Sequence, residues 1–128
     1  MRVTIRFEDE ATLETSNDLI ELANLIEEEC DVSVTQEKQK FQQGVKSRLT
    51  TRIAIIGLVL TTFQTIIGVA QFWTSENSKY MLKIYSEDNV LIYTLDNTNR
   101  EEADRITSII GSFPPDVTQN IEIRILKK

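Results

Sequence analysis

Side chains that commonly carry out catalysis are scarce in this chain of 128 residues. It contains no histidine, which removes the usual general base and the commonest zinc ligand. Its single cysteine, Cys30, has no disulfide partner within the chain and no imidazole to activate it as a nucleophile. We therefore expect Cys30 to be a buried or half-buried thiol of the kind found in a reducing compartment.

Acidic runs and tyrosines are the remaining candidates for chemistry. Residues 27–29 and 101–102 are consecutive glutamates, but such runs are usually solvated helix surfaces rather than acid–base pairs. Three tyrosines fall on a predicted hairpin, where they form either a ligand-binding face or, more commonly, cross-strand packing (Tyr80, Tyr85, Tyr93). The sequence has no glycine-rich phosphate loop, no CxxC pair and no cluster with metal-ligand spacing. It predicts a protein that is not an enzyme and that binds no cofactor or metal.

Charge is distributed unevenly along the chain. The net charge is −6, yet residues 38–52 contain five basic residues and no acid, and residues 53–75 carry no charge. An acidic chain whose bases lie in one short block is not expected to bind nucleic acid. A basic block beside an uncharged apolar run is instead typical of the flank of a membrane span.

Apolar periodicity predicts two small β-rich parts. Residues 1–37 contain an alternating strand at 2–8, a helix with apolar residues at helical spacing, and a short strand near 31–36, which is a β-α-β order. Residues 76–128 contain a hairpin, a helix that ends near Gly111 and a final alternating strand, which is a β-β-α-β order. The fold class is therefore α+β. The two parts either stand separately or contribute to one ferredoxin-like sheet.

A long helix is predicted between the two parts. Residues 38–75 contain no proline, and a helix of this length spans about 57 Å, too long for the interior of so small a protein. Its segment 53–73 consists of 21 uncharged residues, about the number needed to cross the roughly 30 Å hydrocarbon core of a bilayer. We therefore expect residues 53–73 to form a transmembrane helix.

Small and polar residues of this segment recur in steps of three and four. We assign six of them to a helix–helix seam: Ala54, Gly57, Thr61, Gln64, Gly68 and Gln71. In lipid, small residues permit close helix approach and glutamines hydrogen-bond across helices, so the seam predicts a homo-oligomer or a narrow pore. The alternative is an amphipathic helix whose apolar face packs inside a soluble oligomer.

Basic and aromatic residues at the ends of the segment set its expected orientation. Lys46, Arg48 and Arg52 precede it and Trp73 closes it, and we interpret these four residues as a membrane flank in contact with lipid. More bases precede the segment than follow it, so the positive-inside rule predicts an inner-membrane protein with a cytoplasmic N-terminus. If the helix packs in a soluble assembly, the expected location is the cytoplasm.

The order of these elements resembles the effector-associated constant component family of bacterial conflict and signalling systems. The resemblance rests on the opening strand 2–7, the acidic helix ending at 25–28, the central hydrophobic helix, the hairpin 81–93 and the helix 99–110. It covers most of the chain as a pattern. It implies a non-catalytic component of an antiviral defence system that is coupled to a separate effector protein.

Three hypotheses for function follow. The first is a membrane-associated adaptor or regulatory component that oligomerises and recruits a separate effector, with the β-rich parts as its contact surfaces. The second is a small effector that forms pores in a membrane through the seam. The third is a subunit of a soluble helix-packed oligomer or filament.

Overall fold

The structure is a computed structural model that describes residues 1–8, 12–38, 50–77, 79–95, 101–114, 116 and 119–127. Its elements, in chain order, are β1 (Arg2–Phe7), α1 (Leu13–Cys30), β2 (Thr35–Lys38), β3 (Thr50–Ile56), α2 (Leu60–Glu76), β4 (Tyr80–Tyr85), β5 (Leu91–Leu95), α3 (Glu101–Ser112) and β6 (Asn120–Lys127). The predicted α+β class is confirmed, with three helices and six strands in the described part of the chain.

All six strands belong to one mixed sheet, in the order β2-β3-β1-β6-β4-β5. The first and last strands lie side by side and parallel, with Ile5 opposite Ile123. Every other neighbouring pair is antiparallel. Strands from both β-rich parts therefore share one sheet, and the two ends of the described chain meet at its centre.

The three helices cover one face of this sheet. Period-two alternation places the inward side chains of β1, β3, β4 and β6 in a single core with residues of all three helices. At its centre, the Tyr80 ring stacks on Trp73 of α2 with 5.4 Å between centroids, and Phe7 meets it edge-on at 5.3 Å. The middle helix, α2, contacts both α1 and α3.

The first helix has a well-defined beginning and end. Thr12 caps its N-terminus, because its side chain accepts a hydrogen bond from the Thr15 backbone while the Thr15 hydroxyl bonds back to Thr12. Asp31 closes the helix in a left-handed conformation with φ 53°. Between these caps, apolar residues at helical spacing are buried (Leu19, Leu22, Ala23 and Ile26).

The predicted long helix at 38–75 is wrong. Thr50–Ile56 is a strand between β1 and β2, the chain turns at Gly57 with φ +79°, and a helix begins only at Leu60. β-Branched residues favour strands, and in β3 the inward-facing Ile53 and Ile55 pack in the core, so part of the uncharged run is a central strand. The rest is a helix of 17 residues with a buried face.

The transmembrane prediction for 53–73 is wrong for the same reason. No helix in the part of the chain that the structure describes is long and apolar enough to cross a membrane. The inner-membrane localisation and the cytoplasmic orientation of the N-terminus depended on this span, and they are corrected with it. An uncharged run of this length is equally well explained by burial inside a folded domain, where one strand and one helix face each need apolar residues.

Two glycines distinguish this arrangement from a continuous helix. Gly57→Ala should lower the free energy of unfolding by about 1–2 kcal/mol, because a side chain disfavours the left-handed backbone at φ +79°. Gly68→Ala lies within α2, where an added Cβ meets no atom within 4 Å, and should raise it by about 0.5–1 kcal/mol. Urea unfolding of both variants checks the opposite signs. Stabilisation by both substitutions would support one continuous helix instead.

Candidate functional site

The second face of the sheet carries no helix in the described part of the chain. Opposed residues on this face form one line across all six strands, in the order Glu37, Arg52, Arg6, Arg124, Lys83 and Thr94. We name its four bases the basic row: Arg52, Arg6, Arg124 and Lys83. Neighbouring strands are about 4.8 Å apart, so the row is about 14 Å long.

Strand periodicity explains why these bases share a face. Arg6, Arg124 and Lys83 each lie between two apolar residues that are buried under the helices, as Arg6 does between Ile5 and Phe7, and Arg52 precedes the buried Ile53. The period of two therefore directs every base to the opposite face, and the register of the strands aligns them. The bases are far apart in sequence, so charge counting along the chain identified the block at 38–52 and missed the row.

Like charges placed directly opposite each other on a sheet are destabilising. Two glutamates offset the repulsion in the row. Glu122 accepts a hydrogen bond from Arg6 Nε at 3.0 Å and another from Arg124 Nε. Glu37 accepts from Arg52 and, at 3.3 Å, from Arg2. The arginines of the row are thus held in place by carboxylates that they share.

The Glu122 carboxyl shows the electrostatic effect of this arrangement. Its burial acts to raise the pKa, but the hydrogen bond from Arg124 and the charges of Arg6 and Arg124 outweigh that effect and lower the pKa. The hydrogen bond to Glu122 in turn raises the pKa of Arg124. Both shifts favour the charged forms of Glu122 and Arg124 at neutral pH.

Two bases of the row remain more available. Lys83 is half-buried and forms no ion pair with any other residue that the structure describes. Arg52 is exposed although it pairs with Glu37. By contrast, Arg124 is largely covered, because its guanidinium lies 3.9 Å from the centroid of the Tyr85 ring. The row thus combines fixed arginines at its centre with an exposed arginine at one end and, at the other, a lysine without an ion pair to a described residue.

Removal of the shared carboxylate should destabilise the sheet. Glu122→Gln leaves Arg6 beside Arg124 without a counter-charge, and should cost about 1–3 kcal/mol of unfolding free energy at pH 7. The folded-state pKa of Glu122 lies below the ordinary 4.5, so its contribution is present above that pH and is lost as pH falls through the folded pKa. Urea unfolding of wild type and variant should therefore differ at pH 7 and converge in acid.

The matched control for this prediction is Glu21→Gln. Glu21 is exposed on α1 and forms no ion pair with another described residue. Its substitution should change stability little at either pH. A difference between wild type and Glu122→Gln that stays constant from neutral to acid pH would contradict the role assigned to this carboxylate.

A second ionic cluster lies on the helical side of the protein. Lys79 Nζ is 2.8 Å from Glu14 and 3.3 Å from Asp18, and the Tyr80 hydroxyl donates to Asp18 at 2.6 Å. These contacts join the N-terminal half of α1 to the start of β4. The cluster therefore helps to fix α1 on the sheet.

The pKa values of Tyr80 and Lys79 in this cluster are shifted in the direction opposite to the one that catalysis needs. Burial, with the hydrogen bond and charge of Asp18, raises the pKa of Tyr80 to about 12. The hydrogen bond to Glu14 raises the pKa of Lys79. A general base or a nucleophile requires a group that loses its proton near neutral pH, whereas both groups here hold theirs more firmly. We interpret the cluster as structural.

Tyr80 should make the protein sensitive to alkali. Its pKa rises from 10 in the unfolded chain to about 12 in the fold, so its stabilising contribution is complete below pH 10 and is lost as pH rises through 12. Wild type should lose stability relative to Tyr80→Phe across this interval. Absorbance titration follows phenolate formation, and the transition that is missing in Tyr80→Phe belongs to Tyr80. In Asp18→Asn this transition should move to lower pH, because the Asp18 carboxylate raises the pKa of Tyr80. An unchanged transition in Asp18→Asn would contradict the contact.

The six seam residues do not form one helix face. Ala54 is buried in β3 and Gly57 lies in the turn that follows. The other four lie in α2 (Thr61, Gln64, Gly68 and Gln71). Gln64 donates a hydrogen bond to Asp104 of α3 within the same chain. The period of 3.5 residues that suggested a single seam therefore crosses a strand, a turn and a helix.

A groove between α1 and α2 contains the position of Gly68. It has a volume of about 450 Å³ and is lined by Leu25, Glu29, Thr65, Gly68, Val69 and Phe72. Phe72 is 58% exposed at this surface. The absence of a side chain at Gly68 contributes to the open space.

The structure describes two of the four residues interpreted as a membrane flank, and these two do not form one. Lys46 and Arg48 fall outside the described residues. Arg52 belongs to the basic row, and Trp73 is 1% exposed in the core under Tyr80. Cys30 is half-buried, and burial together with the charge of Glu29 raises the pKa of its thiol.

Comparison with known proteins gave no match. No protein-family model matches this chain, and neither a curated protein nor a solved structure is significantly similar to it.

Proposed function

We propose that this protein is a non-catalytic interaction module, an adaptor or regulatory component that binds a partner protein on the open face of its sheet. The observation that carries the proposal is the basic row, four cations in adjacent register on a face that no described helix covers. This replaces the membrane-associated form of the hypothesis with one based on the sheet.

The physical argument concerns the repulsion within the row. Opposite charges across strands stabilise a sheet and like charges directly opposite weaken it. Three adjacent strand pairs place base against base here, in a chain whose net charge is −6. Among the described residues, two acids form ion pairs with the arginines of the row, Glu37 and Glu122. An acidic surface placed against the row would offset the remainder, so binding such a partner is favoured.

An acidic protein surface fits this face better than a nucleic acid does. Proteins that bind nucleic acid through an open sheet commonly stack bases on exposed aromatic rings. On this face, one side of the Tyr85 ring is already occupied by the Arg124 guanidinium. The overall charge of −6 would also repel a polyphosphate approaching from a distance.

The family resemblance is consistent with this partner class. An effector-associated component acts through a separate effector protein, and a rigid sheet face with fixed charges suits such a contact. Of the features that carry the resemblance, the opening strand, the first helix and the hairpin are present, whereas the central hydrophobic helix is replaced by a strand and a shorter helix. We therefore include an effector of a bacterial defence system among the partner proteins that the proposal covers.

Poly-L-glutamate provides a defined probe of the open face. Labelled polymer should bind the protein at low salt in fluorescence anisotropy, and the double variant Arg52→Glu with Lys83→Glu should bind it about tenfold or more weakly. Each reversed charge is expected to change the interaction by about 1 kcal/mol when exposed to water. The two residues are the terminal bases of the row and form no contact with Glu122, so their substitution should leave the Arg6–Glu122–Arg124 contacts intact.

The control is a double variant that changes the net charge by the same amount at positions outside the basic row. Arg105 is exposed on α3 and Lys127 is exposed at the end of β6, so Arg105→Glu with Lys127→Glu leaves the basic row unaltered. This variant should retain most of the binding. If both double variants lost poly-L-glutamate binding to the same extent, the loss would be explained by net charge alone, and the proposed site would be refuted. Tighter binding of a single-stranded RNA of equal length would replace the protein partner with a nucleic acid.

A further inference from the structure

We infer that the partner on the open face is the acidic outer surface of α1 from a second copy of this chain, so that copies associate head to tail. The inference rests on the proposed function, since it assigns an occupant to the same docking face. It is argued from the charge complementarity of two surfaces that lie on opposite sides of one molecule.

The first surface is the outside of α1. This helix contains six acids and no base: Glu14, Asp18, Glu21, Glu27, Glu28 and Glu29. Three of them already have partners, because Glu14 and Asp18 pair with Lys79, and Glu27 accepts from the Val34 backbone.

An outer stripe on α1 remains for a partner. Asn17, Glu21, Asn24 and Glu28 are all exposed and follow one another at steps of four, three and four residues. Positions at these steps lie on one side of a helix. The stripe faces away from the sheet, because the intervening apolar residues of α1 are buried against it.

The spacing of charges on the two surfaces agrees. Glu21 and Glu28 are seven residues apart, a separation of about 10.5 Å along a helix. Cations two strands apart in the basic row are separated by about 9.6 Å. A helix lying along the row, across the strands, therefore brings both carboxylates near two cations at once.

Stacking of copies would also complete the layers of the fold. One face of the sheet is covered by helices, whereas the other exposes Ile56, which is 72% accessible. A helical layer from a second copy would cover this face and give the helix–sheet–helix arrangement common for sheets that contain parallel strands. The groove beside α1, with the exposed Phe72, would add apolar area to the same contact.

The symmetry of such a contact has a distinct consequence. The two surfaces are different patches of one molecule, so after pairing one copy retains a free α1 surface and the other retains a free sheet face. A contact of this type forms a ring if the rotation closes and an open chain if it does not. Association should therefore proceed beyond a dimer, which agrees with the hypothesis of an oligomer or filament subunit.

Reversal of each surface tests the inference by sedimentation velocity. At low salt the mass of the wild type should rise with concentration, and salt should return it to the monomer. Arg52→Glu with Lys83→Glu should be monomeric, and Glu21→Lys with Glu28→Lys should be monomeric as well. An equimolar mixture of these two double variants should associate again, because every surface then has a complementary surface in the other variant.

Controls and outcomes separate this inference from the proposed function. Glu76→Lys with Asp116→Lys reverses two exposed acids outside α1 and should associate like wild type. A wild type that stays monomeric at about 1 mM, where even weak contacts form, would refute the inference. So would a closed dimer that the α1 variant leaves intact. If poly-L-glutamate binding persists in either case, the docking face stands and its partner is another protein. If it also fails, both proposals fail.

Discussion

The parallel pairing of β1 with β6 is the contact on which the rest of the structure depends. It joins the two ends of the described chain at the centre of the sheet, with Val3 opposite Ile121 and Ile5 opposite Ile123. All of these side chains are buried under the helices. A slip of one residue in this register would turn every one of them to the open face, so burial fixes the pairing strongly. The same register places Arg6 beside Arg124 and creates the centre of the basic row.

This pairing also unites segments that a linear reading of the chain keeps separate. The hairpin of β4 and β5 attaches to β6, while β3 and β2 attach to β1, so neither half forms the sheet alone. The backbone contacts at Met1 extend the connection, since Leu58 donates to the Met1 carbonyl at 2.9 Å. Contacts between distant parts of a sequence are slow to form because their loop-closure entropy is lost first. The core is complete only when both ends of the described chain are in place.

Much of the fold was predictable from local patterns. Alternation identified β1, β6 and the β4–β5 hairpin, and apolar spacing identified α1 and α3, because these segments have one buried and one open face. The segment 53–73 was mispredicted because β3 and α2 together present a long uncharged run. The β-branched residues of β3 and the left-handed Gly57 marked the boundary, yet neither excludes a helix by itself.

The candidate site was less predictable than the fold, for a reason specific to sheets. Each base of the row sits in an ordinary alternating strand, and a base facing outward from a strand is unremarkable in isolation. Its significance depends on the register between strands that are distant in the sequence, and Arg6 and Arg124 are more than one hundred residues apart. Arg52 illustrates the difficulty, since sequence context placed it at a membrane flank and tertiary pairing places it between Glu37 and Arg6.

Glu37 and Glu122 hold the arginines of the basic row in place before a partner binds. Arginine side chains lose considerable rotamer freedom when a partner fixes them, and that loss weakens binding. Glu122 already holds Arg6 and Arg124, and the Tyr85 ring supports the latter. The entropy of ordering these arginines is therefore lost during folding, before any partner arrives. Because a carboxylate can accept several hydrogen bonds and each guanidinium has five donors, the shared pairing leaves donors free for an incoming acid. The face thus presents a preorganised pattern of positive charge, and its rigidity follows from the same contacts that make the like-charged alignment tolerable.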